Sequence, residues 1–157
     1  NSKLLTIGVL FGDMSKGAIA LLVGYLVSLW FGHETELPMT IAGISSVVGH
    51  NYSIFLKLKG GKGLATSVPI LLYLEPTLFA VWIATFLITV AITRLMVGGQ
   101  IAGTVLAPIV GAIFFHQSII PVTILAAIVF VKHAPRLKTI INGTEPRMYY
   151  RIGSSDK

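Results

Sequence analysis

The chain has 157 residues, 54% of them hydrophobic and only 11% charged, with a formal net charge of +6 and a mean hydropathy of +0.83. That is more apolar than a soluble domain of this length needs for its core, and it points to an integral membrane protein. The absence of cysteine excludes disulfides and thiolate metal sites. The basic residues are not interleaved with aromatics on a soluble face, so nucleic acid is not an expected partner.

The chain opens Asn1-Ser2-Lys3, with no small-residue cleavage site after a short apolar core, so no cleavable signal peptide is read. It lacks an initiator methionine, and a trimmed chain is expected. A bilayer crossing takes about 20 apolar residues. Residues 4–31 supply a long apolar stretch, and the polar break His33 to Pro38 follows. Residues 39–56 make a second span that ends at a lysine-glycine loop. Residues 64–74 are apolar but short, stopped by Glu75-Pro76. Residues 77–93 follow, then a break from Arg94 to Gln100, then residues 101–115 and 118–131, parted by His116-Gln117. Residues 132–157 form a polar tail.

The expected fold is an all-α, polytopic helical bundle, a single transmembrane domain with six spans in this chain. Some of these are too short to cross fully and end in loops within the bundle. Charge tests the threading. Lys57, Lys59, Lys62, Arg94, Lys132, Arg136, Lys138, Arg147, Arg151 and Lys157 fall on one side, and Glu34, Glu36 and Glu75 on the other. The basic side should face the cytoplasm, where anionic headgroups add attraction. Topology alone accounts for most of these residues. Charge alone, however, needs no glycine.

The segment Lys57-Leu-Lys59-Gly60-Gly61-Lys62-Gly63-Leu64-Ala65-Thr66 places three lysines and three glycines between two apolar stretches. Glycines permit close backbone approach to a ligand. The apolar run behind them can open a helix whose free N–H groups and dipole favour phosphate, and Lys62 adds a point charge. A phosphate-handling loop at a membrane surface is the reading. It is not a Walker A motif, because Gly63 stands where Ser or Thr should follow the lysine.

Polar groups inside the apolar stretches are costly and face the bundle interior or a wet cavity. Asp13 and Lys16, at i and i+3, share a helical face and can pair. They serve as a structural ion pair or lie beside the active cavity. His50 and Asn51 sit about two turns before the glycine loop. A lone histidine there is more often a helix–helix hydrogen-bond partner than a catalyst, but its position under the loop favours a substrate role. His133, at the end of the last span, is by itself an interfacial anchor. With Arg136, Lys138 and Asn142–Arg147 it shares a face with the glycine loop. Glu145 is read as holding the tail to the bundle by neutralising a lysine or arginine. Trp30 and Tyr52 read as interfacial anchors, and Met39 and Met96 as packing residues. No His/Asp/Glu cluster has metal-ligand spacing, Phe55 stands where the acid of a His-x4-Asp pair would be, and no Gly-x-Ser-x-Gly elbow occurs.

Gly49-His50, Phe55 and Lys59-Gly60-Gly61-Lys62-Gly63-Leu64-Ala65-Thr66 resemble the second motif of the PlsY family of bacterial membrane acyltransferases. Gly12-Asp13 with Lys16-Gly17, and Lys132-His133 with Gly143-x-Glu145, match further parts of its pattern. The resemblance implies a seven-helix bundle in the bacterial inner membrane with its motif loops facing the cytoplasm. It implies acyl transfer from acyl phosphate to the 1-hydroxyl of glycerol 3-phosphate, giving lysophosphatidic acid and phosphate, at the first step of phospholipid synthesis. Gly60, Gly61, Lys62 and Gly63 inherit the phosphate-binding role, with Lys59, His50 and Asn51 beside them. Lys62 and His133 are the candidate catalytic residues, and Asp13, Lys16 and Glu145 the supporting ones. The expected partners are the two substrates, membrane lipids and the enzyme that forms acyl phosphate, with the protein a monomer and without cofactor or metal. The family's first motif, with its Ser-Gly-Asn and Gly-Ala-Thr-Asn loop, is not in this sequence, and a helix carrying it is expected ahead of Asn1. Arg136 stands where the family often has asparagine, which bears on the partner of His133. An anion transporter or channel is the rival reading, since broken helices and a basic vestibule also describe an anion pathway. A catalytically dead subunit is a third.

Overall fold

The computed structural model describes residues 2–32 and 36–148. Those residues fold as helices in the order α1 (Ser2–Phe31), α2 (Glu36–Asn51), α3 (Leu64–Leu74), α4 (Pro76–Thr93), α5 (Met96–Phe114), α6 (Ile119–His133) and the short α7 (Leu137–Ile141). Single 3-10 turns occupy 54–56, 116–118 and 134–136. Among the described residues, four helical stretches are long and apolar enough to cross a membrane: Leu4–Phe31, Pro76–Thr93, Met96–Phe114 and His116–Ile141. At 1.5 Å per residue α3 spans only ~16 Å, about half of a bilayer's hydrocarbon core.

The limits of α4 have local causes. Proline at the first position of α4 suits a site that needs no N–H donor, and it leaves Glu75 as the single residue between α3 and α4. Arg94 closes α4 in the left-handed conformation, its N–H donating to the Val90 carbonyl. Two expected boundaries move. The break placed at Arg94 to Gln100 shrinks to Arg94 and Leu95, because α5 already begins at Met96. Gly99 belongs to its first turns and takes α5 against Phe86 and Val90 of α4, with no room for a side chain. The second apolar stretch ends as a helix at Asn51, and the apolar residues after it form a separate turn.

The core is Leu21, Val47, Ile70, Leu71, Leu78, Val122, Leu125 and Val129, so it draws on α1, α2, α3, α4 and α6. Around it the exterior is apolar: Leu5 is 73% exposed, Ile92 77% and Trp30 87%. A helix flank of this kind has lipid as its natural solvent. Close crossings rest on small residues, as in membrane helix pairs generally. Gly24 of α1 meets the Pro38–Met39 backbone, and Gly103 of α5 meets Trp82, whose Nε1 donates to Thr104 Oγ1 at 3.3 Å.

The antiparallel succession sorts the charges. The 52–63 loop, the Arg94 turn, Lys132, Arg136, Lys138 and Arg147 lie at one end of the bundle, and Glu36 and Glu75 at the other. At that acidic end Glu36 lies near Tyr73, and the Ser118 hydroxyl donates to the Leu74 carbonyl at 3.3 Å. Glu34, Arg151 and Lys157 lie outside the described residues.

Candidate active site at the basic end of the bundle

The glycine loop hangs between the end of α2 and the start of α3. Gly63 is the N-cap of α3, with φ +77°, a conformation that disfavours a side chain. No side chain caps that end, so the first N–H groups of α3 face the loop without an intrahelical acceptor. Lys62 is exposed beside them. Lys59 is exposed too, its N–H donating to the Leu56 carbonyl at 2.9 Å.

The glycines meet the end of α2 directly. The Gly61 N–H donates to the His50 carbonyl at 3.1 Å. A side chain at Gly60 would collide with that carbonyl, one at Gly61 with the His50 ring, and one at Gly63 with Asn51 and Val47. Their motif alone assigns these glycines to close ligand approach. In the fold their inner faces receive His50 and Asn51, and only their outer faces remain for a ligand.

His50 is held in turn. Its Nδ1 lies 3.4 Å from Asp13 Oδ1, and the same oxygen accepts from Lys16 Nζ at 2.7 Å. The Asp13–Lys16 pair therefore forms, and it reaches the glycine loop through His50. Gly17, the next residue of α1, packs on the Thr66 carbonyl and Pro69 of α3. Asp13, Lys16, His50 and the loop thus make one continuous support.

His133 ends α6 and is 2% exposed. Its Nδ1 lies 2.9 Å from the Val129 carbonyl. A carbonyl only accepts, so Nδ1 carries the proton, and in the neutral ring Nε2 presents a lone pair. The charge of Lys62 acts on both His133 and Glu145, which places the glycine loop and the segment after α7 in one field. Among the described residues, the Asn51 side-chain amide, Thr66 Oγ1 and His133 Nε2 are buried without a hydrogen-bond partner. Such atoms cost about 1–3 kcal/mol each, so this end of the bundle is not arranged for stability alone.

Glu145 is 7% exposed. It accepts from Arg136 through both carboxylate oxygens, with Nε at 3.0 Å, and from the Thr139 hydroxyl. The Arg136 hydrogen bonds, and then that of Thr139, hold its carboxyl below the usual carboxylate range. Beyond it the Met148 N–H donates to the Arg94 carbonyl at 2.8 Å, so the segment crosses to the turn between α4 and α5. Arg136 faces Glu145, not His133, as its hydrogen-bond partner. Two features escaped the sequence reading. Lys132 Nζ sits 4.0 Å above the Tyr52 ring, tying α6 to the end of α2, and Thr139 is the third member of the Glu145 cluster. A hydroxyl one turn along α7 and an aromatic beside His50 were the available signals.

A family model described as glycerol-3-phosphate acyltransferase matches residues 2–143. The chain belongs to that family. The glycerol-3-phosphate acyltransferase of Geobacillus kaustophilus is 34% identical over 143 residues, covering 89% of this chain and 69% of the relative. That of Bacillus subtilis is 33% identical, with 89% and 70% covered. That of Exiguobacterium sibiricum is 38% identical, with 89% and 68% covered. Among solved structures, the glycerol 3-phosphate form of PlsY (YgiH), an integral membrane glycerol 3-phosphate acyltransferase, superposes with a TM-score of 0.77. It is 23% identical, with 94% of this chain and 72% of that chain covered, and its lysophosphatidic acid form agrees equally well. That likeness establishes the fold. Family membership, the fold and the four apolar helical stretches together make the chain a multi-pass membrane protein of the acyltransferase family.

Proposed function

We propose that this chain transfers a fatty acyl group from acyl phosphate to the 1-hydroxyl of glycerol 3-phosphate, releasing lysophosphatidic acid and phosphate, with its basic end facing the cytoplasm. Family membership supports the acceptor and the reaction class. The observation that carries the site is the glycine turn opening α3, with Lys62 exposed at its rim and the His133 lone pair on the same end of the bundle.

An acyl phosphate is a mixed anhydride and is already activated, so the chain needs no covalent nucleophile. The hydroxyl oxygen attacks the acyl carbon, the bond to the phosphate oxygen breaks, and the phosphate departs with the electron pair. Alignment supplies a large part of the acceleration. The outer face of Gly60–Gly63, the first N–H groups of α3 and the Lys62 ammonium hold the departing phosphate, with Lys59 beside it. Donors fixed before reaction stabilise the developing charge without reorganisation. His133 Nε2 takes the proton of the attacking hydroxyl as the new bond forms, and passes it to an oxygen of the departing phosphate. His50 and Asn51 act from beneath, by holding the loop. Asp13, Lys16 and Glu145 hold the elements that carry it.

Lys62→Ala should lower kcat/KM for acyl phosphate by about 10²–10³-fold, the scale of losing one preorganised charge-stabilising donor. Near-wild-type activity in that variant, with wild-type expression in the membrane, would remove the loop from the mechanism.

A further inference from the structure

We infer that the turn at residues 53–58 is a membrane-inserting knuckle that seats the glycine loop in the anionic leaflet. Ile54 is 84% exposed and Phe55 98%, and Leu56 and Leu58 are exposed as well. Four apolar side chains in five residues thus lie open at the basic end of the bundle, immediately ahead of the lysine-glycine loop.

The backbone donors from Leu56 to Lys59 are paired within the segment. The N–H groups of Leu56 and Leu58 donate to the Ser53 carbonyl, that of Lys57 to Ile54 and that of Lys59 to Leu56, all at 2.9–3.1 Å. With those four donors paired, the turn gives up fewer hydrogen bonds on leaving water, which favours entry into the apolar edge of a bilayer. Lys57 and Leu58 have φ of 51° and 64°, a left-handed pair without glycine. Such residues persist only where the surroundings over-determine them. The turn is therefore a preformed shape with its apolar side chains turned outward.

Charge identifies the partner. Lys57 and Lys59 follow the apolar tip and are exposed, and Lys132 stands over Tyr52 at its base. Exposed apolar side chains with exposed lysines beside them match the acyl edge and the headgroup phosphates of an anionic leaflet. Leu58 and Lys59 lead directly into Gly60. On the acyl-transfer reading proposed above, an amphiphilic donor whose phosphate lies on the glycine turn would pass its chain over this knuckle from the leaflet.

The chain has no cysteine, so Phe55→Cys gives one labelling site in it. A nitroxide there, in the full-length protein with any native cysteine elsewhere replaced, is read in vesicles of phosphatidylglycerol and phosphatidylethanolamine. Relaxation by oxygen should exceed relaxation by a water-soluble nickel chelate. Dominant relaxation by nickel would overturn the proposal by placing the tip in water, and access to neither would overturn it by placing the tip under protein. This readout does not depend on catalysis, so it separates failure of the knuckle from failure of the proposed reaction. Phe55→Ser should then raise KM for a long-chain acyl phosphate about tenfold, leave KM for glycerol 3-phosphate unchanged, and be rescued by Phe55→Leu. An equal rise in both KM values would overturn the knuckle as the donor's route from the leaflet.

Discussion

The His50 ring lies against Gly61 so closely that no side chain fits between them, while its Nδ1 faces Asp13 3.4 Å away. A charge in the middle of α1 is thereby connected to a loop between α2 and α3. Gly61→Ala should displace the loop and lower activity at least 100-fold. Gly49→Ala, at a helical site where an added Cβ meets nothing within 4 Å, should leave activity and stability close to wild type. Turnover and thermal unfolding of both variants in detergent check the contrast.

Asp13→Asn keeps the shape of the side chain and removes its charge from His50 and Lys16. Activity should fall about tenfold or more through the loosened ring. Lys16→Met should fall less, because the Lys16 side chain is 57% exposed and touches the loop only through Asp13. Initial rates of the two variants at saturating substrate decide the order, and equal losses would argue against transmission through His50.

Acid should release the segment that Glu145 anchors. Its carboxyl is held below its ordinary value by the hydrogen bonds of Arg136 and then Thr139. A depressed carboxyl contributes stability that is full above its unfolded pKa, about 4.3, and that is lost as pH falls through the folded value. Glu145→Gln should therefore unfold earlier than wild type at pH 7, and the difference in Tm should shrink between pH 5 and 3. Thermal unfolding across that range tests the sign.

The Lys132–Tyr52 contact should be replaceable by any aromatic ring. A cation over a ring is worth about 0.5–2 kcal/mol, so Tyr52→Leu should loosen the join of α2 to α6 and Tyr52→Phe should not. A double-mutant cycle with Lys132→Met on thermal stability measures the coupling.

Much of this was legible before any fold. Hydropathy located the helices and the lysines sorted to one end, since span length and charge placement are set by the bilayer and not by packing detail. The Asp13–Lys16 pair followed from helical spacing. Other features depended on contacts between distant elements. That Gly60 and Gly61 accommodate His50 could not be read from a motif, because a glycine needed for a ligand and one needed for a neighbour look the same. The apolar run Ile54–Leu56 read as the end of a span, since hydropathy does not register the left-handed turn at Lys57 and Leu58 that breaks it. Arg136 stood out as an unusual residue beside His133, and only the return of the chain to α7 shows that it chelates Glu145.

The most direct test of the account is an acyl-transfer assay on the full-length gene product in detergent, with labelled glycerol 3-phosphate as acceptor. Palmitoyl phosphate, acyl-CoA and acyl carrier protein are offered separately as donors. Labelled lysophosphatidic acid should form from palmitoyl phosphate alone, without a sealed membrane. No product from any donor, with the protein shown to be folded, would contradict it.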